Sequence, residues 1–258
     1  MKKYFGIFLI LALSFWAIRA LLHPGFFPMH DDEQIARLYQ LHLALSSGQF
    51  PPRWIPDLGF GFGYPFYNFY PPLVYYLGEI LHVLGFSLII STKIVMAMGF
   101  ILSGFFMYLL VKEWFGKSGA LVAAIFYLYA PYHSVDLYVR GALAEFYSFV
   151  FLPAVFFSTL KLFKEKNLKW MIINSLFLSL FLLSHNLMVL PFLPFYLAFL
   201  IFLFWKEREK KKVFLLLGFS GLLFLGLTAY FWLPSLLERK FTLVDEILTH
   251  ELASYKLH

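Results

Sequence analysis

Apolar stretches of near-membrane length recur along this chain, and they constrain it more than any other feature. Residues 4–22, 88–111, 118–135, 146–163, 170–187, 188–204 and 213–235 are the candidates. A helix needs about 20 apolar residues to cross the hydrocarbon of a bilayer. Charged residues make up only 14% of the 258, against about 25% in soluble domains. So few charges leave a water-facing globule without a surface. A soluble enzyme, a disordered chain and a collagen-like fibre are therefore excluded. The expected fold class is all-α: a polytopic membrane protein of about seven transmembrane helices. There is no cysteine, hence no disulfide, thiolate metal site or thiol nucleophile.

Residues 72–86 are ambiguous. They reach only about 22 Å as a helix, and they carry Glu79 and His82 near their middle, which lipid disfavours. Charge distribution decides the case. If this stretch does not span, 13 of the 21 Lys and Arg residues fall on one side, in four clusters around Lys2, Lys112, Lys164 and Lys210. That side is the cytoplasm by the positive-inside rule. If it does span, the two largest clusters move outside. Residues 72–86 are thus read as an amphipathic helix on the outer interface. Residues 23–87 become a long external loop, loop 1, and 11 of the 15 acids lie outside with it. The net charge of +6 then reflects topology, and a nucleic-acid partner is not expected. The expected placement is multi-pass in the plasma membrane, N-terminus cytoplasmic, loop 1 and C-terminus extracytoplasmic. Residues 1–235 form the transmembrane module. Residues 236–258 form a polar tail, read as the start of a further part.

Four clusters carry candidate chemistry. The first is His30-Asp31-Asp32-Glu33. Three adjacent carboxylates repel one another, which raises a pKa or recruits a cation. Either outcome suits a general base or a divalent site with oxygen ligands. The plainer alternative is an acidic helix start favoured by the helix dipole. Glu33 and Arg37 are spaced to pair. The second is residues 48–73, with six prolines, four glycines and nine aromatics. The prolines forbid a long helix. Most of the rings read as interfacial anchors, with Arg53 and Trp54 as candidate ligand contacts. The third is Tyr138-Val139-Arg140-Gly141-Ala142-Leu143-Ala144-Glu145. There Arg140 is placed either to grip a phosphate or to pair with Glu145. The fourth is Ser184-His185-Asn186, read as a functional histidine or as one satisfied by a backbone carbonyl. Lys93, near the outer end of the second stretch, either snorkels or meets a lipid phosphate. No P-loop, GxGxxG, HExxH or GxSxG pattern is present.

The sequence also carries HDDEQIAR, GQFPPRW, GFGYPFYNFYPPLVYYL, YVRGALAE, LSHN and YFWLPSLLE in that order. A long first external loop with an acidic motif just past the first helix resembles the GT-C superfamily of integral-membrane glycosyltransferases. The set of motifs resembles the bacterial and archaeal membrane proteins labelled 6-pyruvoyl-tetrahydropterin synthase-related, over about residues 25–240. Nothing in it resembles the soluble pterin enzyme of similar name. The GT-C resemblance implies a polyprenyl-phosphate or polyprenyl-diphosphate sugar donor, a glycan or protein acceptor, and transfer outside the cytoplasm. It also implies an acidic loop 1 residue as base or metal ligand. On that basis Asp31 is the expected base, with Asp32 and Glu33 as secondary carboxylates. Asp31 and Glu33 are candidate ligands for Mg or Mn. His30, Arg37, Arg53, Trp54, Lys93, Arg140, Glu145, His185 and Asn186 are the expected substrate contacts. Two other classes compete: a flippase of lipid-linked sugars, and a non-catalytic assembly protein. A flippase needs polar groups at mid-membrane, and the stretches read as apolar there.

Overall fold

The computed structural model describes residues 5–243. It is helical throughout, with no strand among the described residues beyond one isolated bridge between Ile55 and Tyr64. Helix α1 (Phe5–Ile18) continues through one 3-10 turn (Arg19–Leu22), where Arg19 lies over the Trp16 ring. Loop 1 then holds three helices: α2 (Gln34–Ser46), the single turn α3 (Phe66–Phe69) and α4 (Leu73–Val83). Between α2 and α3 the prolines and glycines keep the chain irregular, as their fixed or left-handed backbones require.

Helix α4 has 11 residues, about 17 Å, which is too short to cross a bilayer. It buries Val74, Tyr75, Gly78 and Glu79 and exposes Ile80, Val83 and Leu84. Its exposed face is apolar and its one carboxylate is turned inward, so it is not the polar-outward amphipathic helix expected of 72–86. Its Glu79 is held by His42 of α2 at 2.9 Å.

The second and third apolar stretches join in one element, α5 (Leu88–Leu128), 41 residues long. A straight helix of that length would reach about 61 Å. It is broken at Gly116, whose φ of 67° and ψ of −169° lie outside helical space. Only glycine takes that backbone without strain. The chain doubles back there: Gly104 lies against Leu128, each 12 positions from the break, and Ile10 of α1 packs beside them. The second arm ends at Leu128, seven residues before the expected 135. Pro131 opens the short helix α6 (Pro131–Ser134), and one π-helical turn (Val135–Arg140) follows.

Helices α7 (Leu143–Glu165), α8 (Leu168–Ser184), α9 (Val189–Lys206) and α10 (Lys210–Glu238) complete the described chain. Helix α7 is the most buried and packs between α5 and α8. Among the described residues, four helical segments are long and apolar enough to cross a membrane, those of α5, α7, α9 and α10, and three shorter apolar ones accompany them.

Charge separates the bundle into two poles. Glu145 and Lys161 stand 16 positions apart on α7, about 24 Å along the axis. At the Lys161 end, Glu113 pairs with Lys161 and Lys164, Glu165 with Lys161, and Glu207 and Glu209 with Lys166. These are the four acids that charge sorting assigns to the basic side. Between the poles the interior is not purely apolar, contrary to expectation. Asn174 donates to Ser158 and Thr159 of α7 and accepts from Ser220 of α10. Tyr196 of α9 meets Thr159 at 3.0 Å. Such bonds join helices where lipid offers no hydrophobic contrast.

Candidate functional site

Loop 1 is docked onto the turn that precedes α7. The His30 amide donates to the Val139 carbonyl at 2.9 Å, and the Asp31 amide donates to the Arg140 carbonyl at 2.7 Å. Gln34 secures the contact. Its Nε2 donates to the Gly141 carbonyl at 2.8 Å, and its Oε1 accepts from the Tyr75 hydroxyl at 2.8 Å. Three segments distant in sequence are thereby tied together. Gly141 makes the approach possible, with φ at +72° and its backbone against Met29 and the Asp31 carbonyl. A methyl group there would stand 2.3 Å from Met29 Sδ and 2.8 Å from the Asp31 oxygen. Gly141→Ala is therefore expected to destabilise the protein by roughly 1–3 kcal/mol, from left-handed strain and overpacking. It should also free loop 1, read as faster proteolysis between residues 23 and 87 in detergent micelles.

The site gathers around Arg140. Its Nη2 donates to Glu145 Oε2 at 2.9 Å. Its Nη1 donates to Glu145 Oε1 at 3.0 Å, Asp136 Oδ1 at 2.7 Å and the Tyr132 hydroxyl at 2.9 Å. Asp136 is fully buried and comes one π-helical turn before Arg140. Burial pushes its carboxyl up to about 7, Glu145 and Asp31 add to the rise, and Arg140 opposes it. Its Oδ2 is buried without a hydrogen-bond partner among the described residues. Asp31 stands at the edge of this group, with Oδ1 2.8 Å from His30 Nδ1. Across from it, burial holds His185 below the usual imidazole range, and both Glu145 and Arg140 act on it. Three carboxylates thus face one guanidinium and two imidazoles. The arrangement favours proton acceptance and hydroxyl binding over capture of a free anion.

The sequence family described as 6-pyruvoyl-tetrahydropterin synthase related domain, membrane protein, matches residues 67–257. The chain belongs to this family. The match covers YVRGALAE, LSHN and YFWLPSLLE and begins after the His30–Glu33 motif. An uncharacterized protein of Lactococcus lactis subsp. cremoris (strain MG1363) is 25% identical over 209 residues, covering 78% of this chain and 34% of the relative. The chain thus spans about a third of that relative's length. No solved structure matches it.

Within this synthase-related membrane protein the expected residues divide into groups. His30, Asp31, Arg140, Glu145 and His185 meet at one pole. Asp32 and Glu33 are exposed, and α2 starts only at Gln34. The acids therefore precede the helix instead of filling its first turn. Glu33 pairs loosely with Arg37 at 3.5 Å. Arg37 reaches into the Tyr70 and Tyr75 hydroxyls and over the Phe66 and Tyr70 rings. Asn186 caps its own turn through the Leu187 amide at 3.0 Å. The Nδ1 of His185 is buried with no partner among the described residues, so the carbonyl-satisfied alternative does not hold. Lys93 is buried separately and donates to the His23 carbonyl beside an apolar cleft. Arg53 and Trp54 line a different cleft. Both terminal nitrogens of Arg140 already serve carboxylates, which is the ion-pair alternative for that residue.

Sequence reasoning passed over Asp136, Tyr132 and Gln34. Asp136 and Arg140 are four apart, a pairing distance on a helix, and that spacing was the available signal. For a divalent cation the donor set does not fit. Among the described residues no group of three or more His, Asp or Glu side chains is arranged around a metal position. Glu33 leans toward Arg37. No chemical step is therefore routed through Asp31 and Glu33 as metal ligands.

Proposed function

We propose that this chain is the catalytic membrane module of a glycosyltransferase. It takes a sugar from a polyprenyl-phosphate or polyprenyl-diphosphate donor and transfers it to a glycan or protein acceptor outside the cytoplasm. The observation that carries the reading is the docking of His30 and Asp31 onto Val139 and Arg140. It sets a carboxylate beside a buried Asp–Arg–Glu group at the acidic end of a helical bundle. In this reading the helices form seven spans, with α5 supplying two. Loop 1 and the start of α7 lie extracytoplasmic in the plasma membrane, and the lysine-rich pole faces the cytoplasm.

Asp31 takes the proton of the acceptor hydroxyl as that oxygen attacks the anomeric carbon. The bond from the anomeric carbon to the phosphate oxygen breaks, and the lipid phosphate leaves with the electron pair. Arg140, swinging from Glu145, balances the departing charge, and the neutral His185 ring offers it an N–H. Glu145 orients the guanidinium between these roles. The flippase alternative is disfavoured, because the interior polar atoms of Asn174, Ser158, Thr159 and Ser220 bond to one another and do not line a path.

The test is incubation of membranes carrying the protein with a panel of radiolabelled polyprenyl-phosphate sugars, with and without EDTA. At least one donor should be consumed, with label appearing in a glycan or protein acceptor. Consumption of none would overturn the reading.

A further inference from the structure

A second cleft lies on the other side of α3 from Arg37. Phe66 and Tyr70, one helical turn apart, hold Arg37 under their rings. Of the residues between them, Tyr67 donates to the Arg37 carbonyl, whereas Asn68 and Phe69 line the cleft. They line a cavity of about 260 Å³ with Arg53, Trp54, Pro65, Glu238 at the end of α10, and Phe241 and Thr242 at the end of the 3-10 turn that follows it. The cleft joins loop 1 to the last described helix through a hydrogen bond from Asn68 Nδ2 to Glu238 Oε2. Asn68 is 5% exposed, so this polar pair is part of the fold and not a surface accident.

Trp54 is built as a platform. One part of its indole packs on the backbone of Gly63, where a methyl group would come within 2.4 Å of the ring nitrogen. Gly63 itself holds a φ of +85° and donates to the Leu58 carbonyl at 2.9 Å. The Trp54 carbonyl accepts from Gln49 Nε2 at 3.1 Å, and the same glutamine accepts the Arg53 amide. The bridge from Ile55 to Tyr64 closes the loop behind it. An indole pinned on one side and about half exposed leaves aromatic surface toward the cleft.

We infer that this cleft binds a pyranose ring. A sugar offers polarised C–H groups to the electron-rich face of an aromatic ring. It also offers hydroxyls that both donate and accept. The cleft matches both needs: Trp54 and Phe69 supply ring surface, Glu238 accepts, and Arg53 and the Asn68 amide donate. A phosphate or other anion is disfavoured by the Glu238 carboxylate. An apolar chain is disfavoured by the part-buried amide–carboxylate pair, which it would leave without water. The cleft shares α3 with the Arg37 side of loop 1, and Arg37 pairs with Glu33 beside Asp31. The cleft and the proposed reaction pole are thus joined through one loop 1 framework. Its role as the acceptor subsite rests on the transferase reading, whereas binding itself does not.

The experiment is saturation-transfer NMR on the protein in lipid nanodiscs, with methyl pyranosides of glucose, galactose and mannose and their disaccharides. Saturable binding of at least one in the millimolar range is expected. Trp54→Ala should weaken it about tenfold, near the upper range for aromatic stacking. Trp54→Phe should weaken it less, and Glu238→Gln should weaken it severalfold through loss of a charged acceptor. Saturable binding by the unaltered protein that consumes no donor would uphold the cleft and sink the transferase. No saturable binding of any probe, or equal affinity in the unaltered protein and both Trp54→Ala and Glu238→Gln, would overturn the inference.

Discussion

Asp31→Asn should lower sugar transfer by about 10²- to 10⁴-fold, the range lost when a positioned general base is removed, with no change in melting temperature. The side chains are nearly isosteric, and the docking of this residue runs through its amide to the Arg140 carbonyl. The substitution leaves that bond in place. What it removes is a carboxylate oxygen able to take a proton. Asp32 and Glu33 provide the controls. Both are exposed, and the contact of Glu33 with Arg37 at 3.5 Å is the kind of surface pair that contributes under about 1 kcal/mol. Asp32→Asn and Glu33→Gln should each keep transfer within about threefold, a loss of that size in energy at most. Initial rates on the donor identified in the panel, beside thermal unfolding curves, make the comparison. Transfer by Asp31→Asn at the rate of the unaltered protein would remove Asp31 as the base.

Much of the helical framework is legible in the sequence because lysines and prolines mark its ends. Lys161, Lys164, Lys166 and Lys210 gather at one pole, and Asn167 caps α8 through the Trp170 amide. The point where α5 doubles back is legible only in outline. The run Phe115-Gly116-Lys117-Ser118-Gly119 carries a turn signal, but hydropathy does not say which glycine takes the positive φ. The early end at Leu128 is hidden for a related reason. Lipid tails and protein interior are equally apolar, so Tyr129 to Val135 read as more span until Pro131 is weighed. Asn174 and Ser220 are single polar residues in apolar helices and signal nothing alone. Their partners lie on other helices, which one-dimensional patterning does not register.

The candidate site shows the same limit more sharply. His30-Asp31 and Arg140-Glu145 both stand out as motifs, and topology puts them on one face. Their backbone contact depends on the left-handed Gly141, which no spacing rule reports. Asp136 carries no motif signal of its own because it sits among Val135, Leu137 and Val139. Its burial and its raised pKa come from the π-helical turn that swings it inward under Arg140.

Arg140→Leu is expected to destabilise the protein by about 2–4 kcal/mol at pH 8. Breaking a buried ion pair costs about 3–5 kcal/mol, and the 43% exposure of the Arg140 side chain reduces that through solvent screening. The loss leaves Asp136, fully buried, and Glu145, 12% exposed, facing Asp31 without a counter-charge. The pH dependence follows from the Asp136 carboxyl, raised from 3.8 to about 7. Between about pH 4 and 7 the folded protein keeps a proton that the unfolded chain has released, so stability falls as pH rises through that window. Asp136→Asn should flatten this slope. In the Arg140→Leu background the defect should be smaller at pH 5, where Asp136 is protonated, and Asp136→Asn should recover part of it at pH 8. Unfolding curves at the two pH values in one detergent give all four comparisons. If Arg140→Leu is as stable as the unaltered protein at pH 8, the guanidinium is not what holds the two carboxylates together. If the defect appears as stated, the donor phosphate must draw Arg140 from a bidentate partner before it gains a charge-assisted bond. Phosphate affinity should then rise on Glu145→Gln even as transfer falls, a division that simple loss of folding cannot produce.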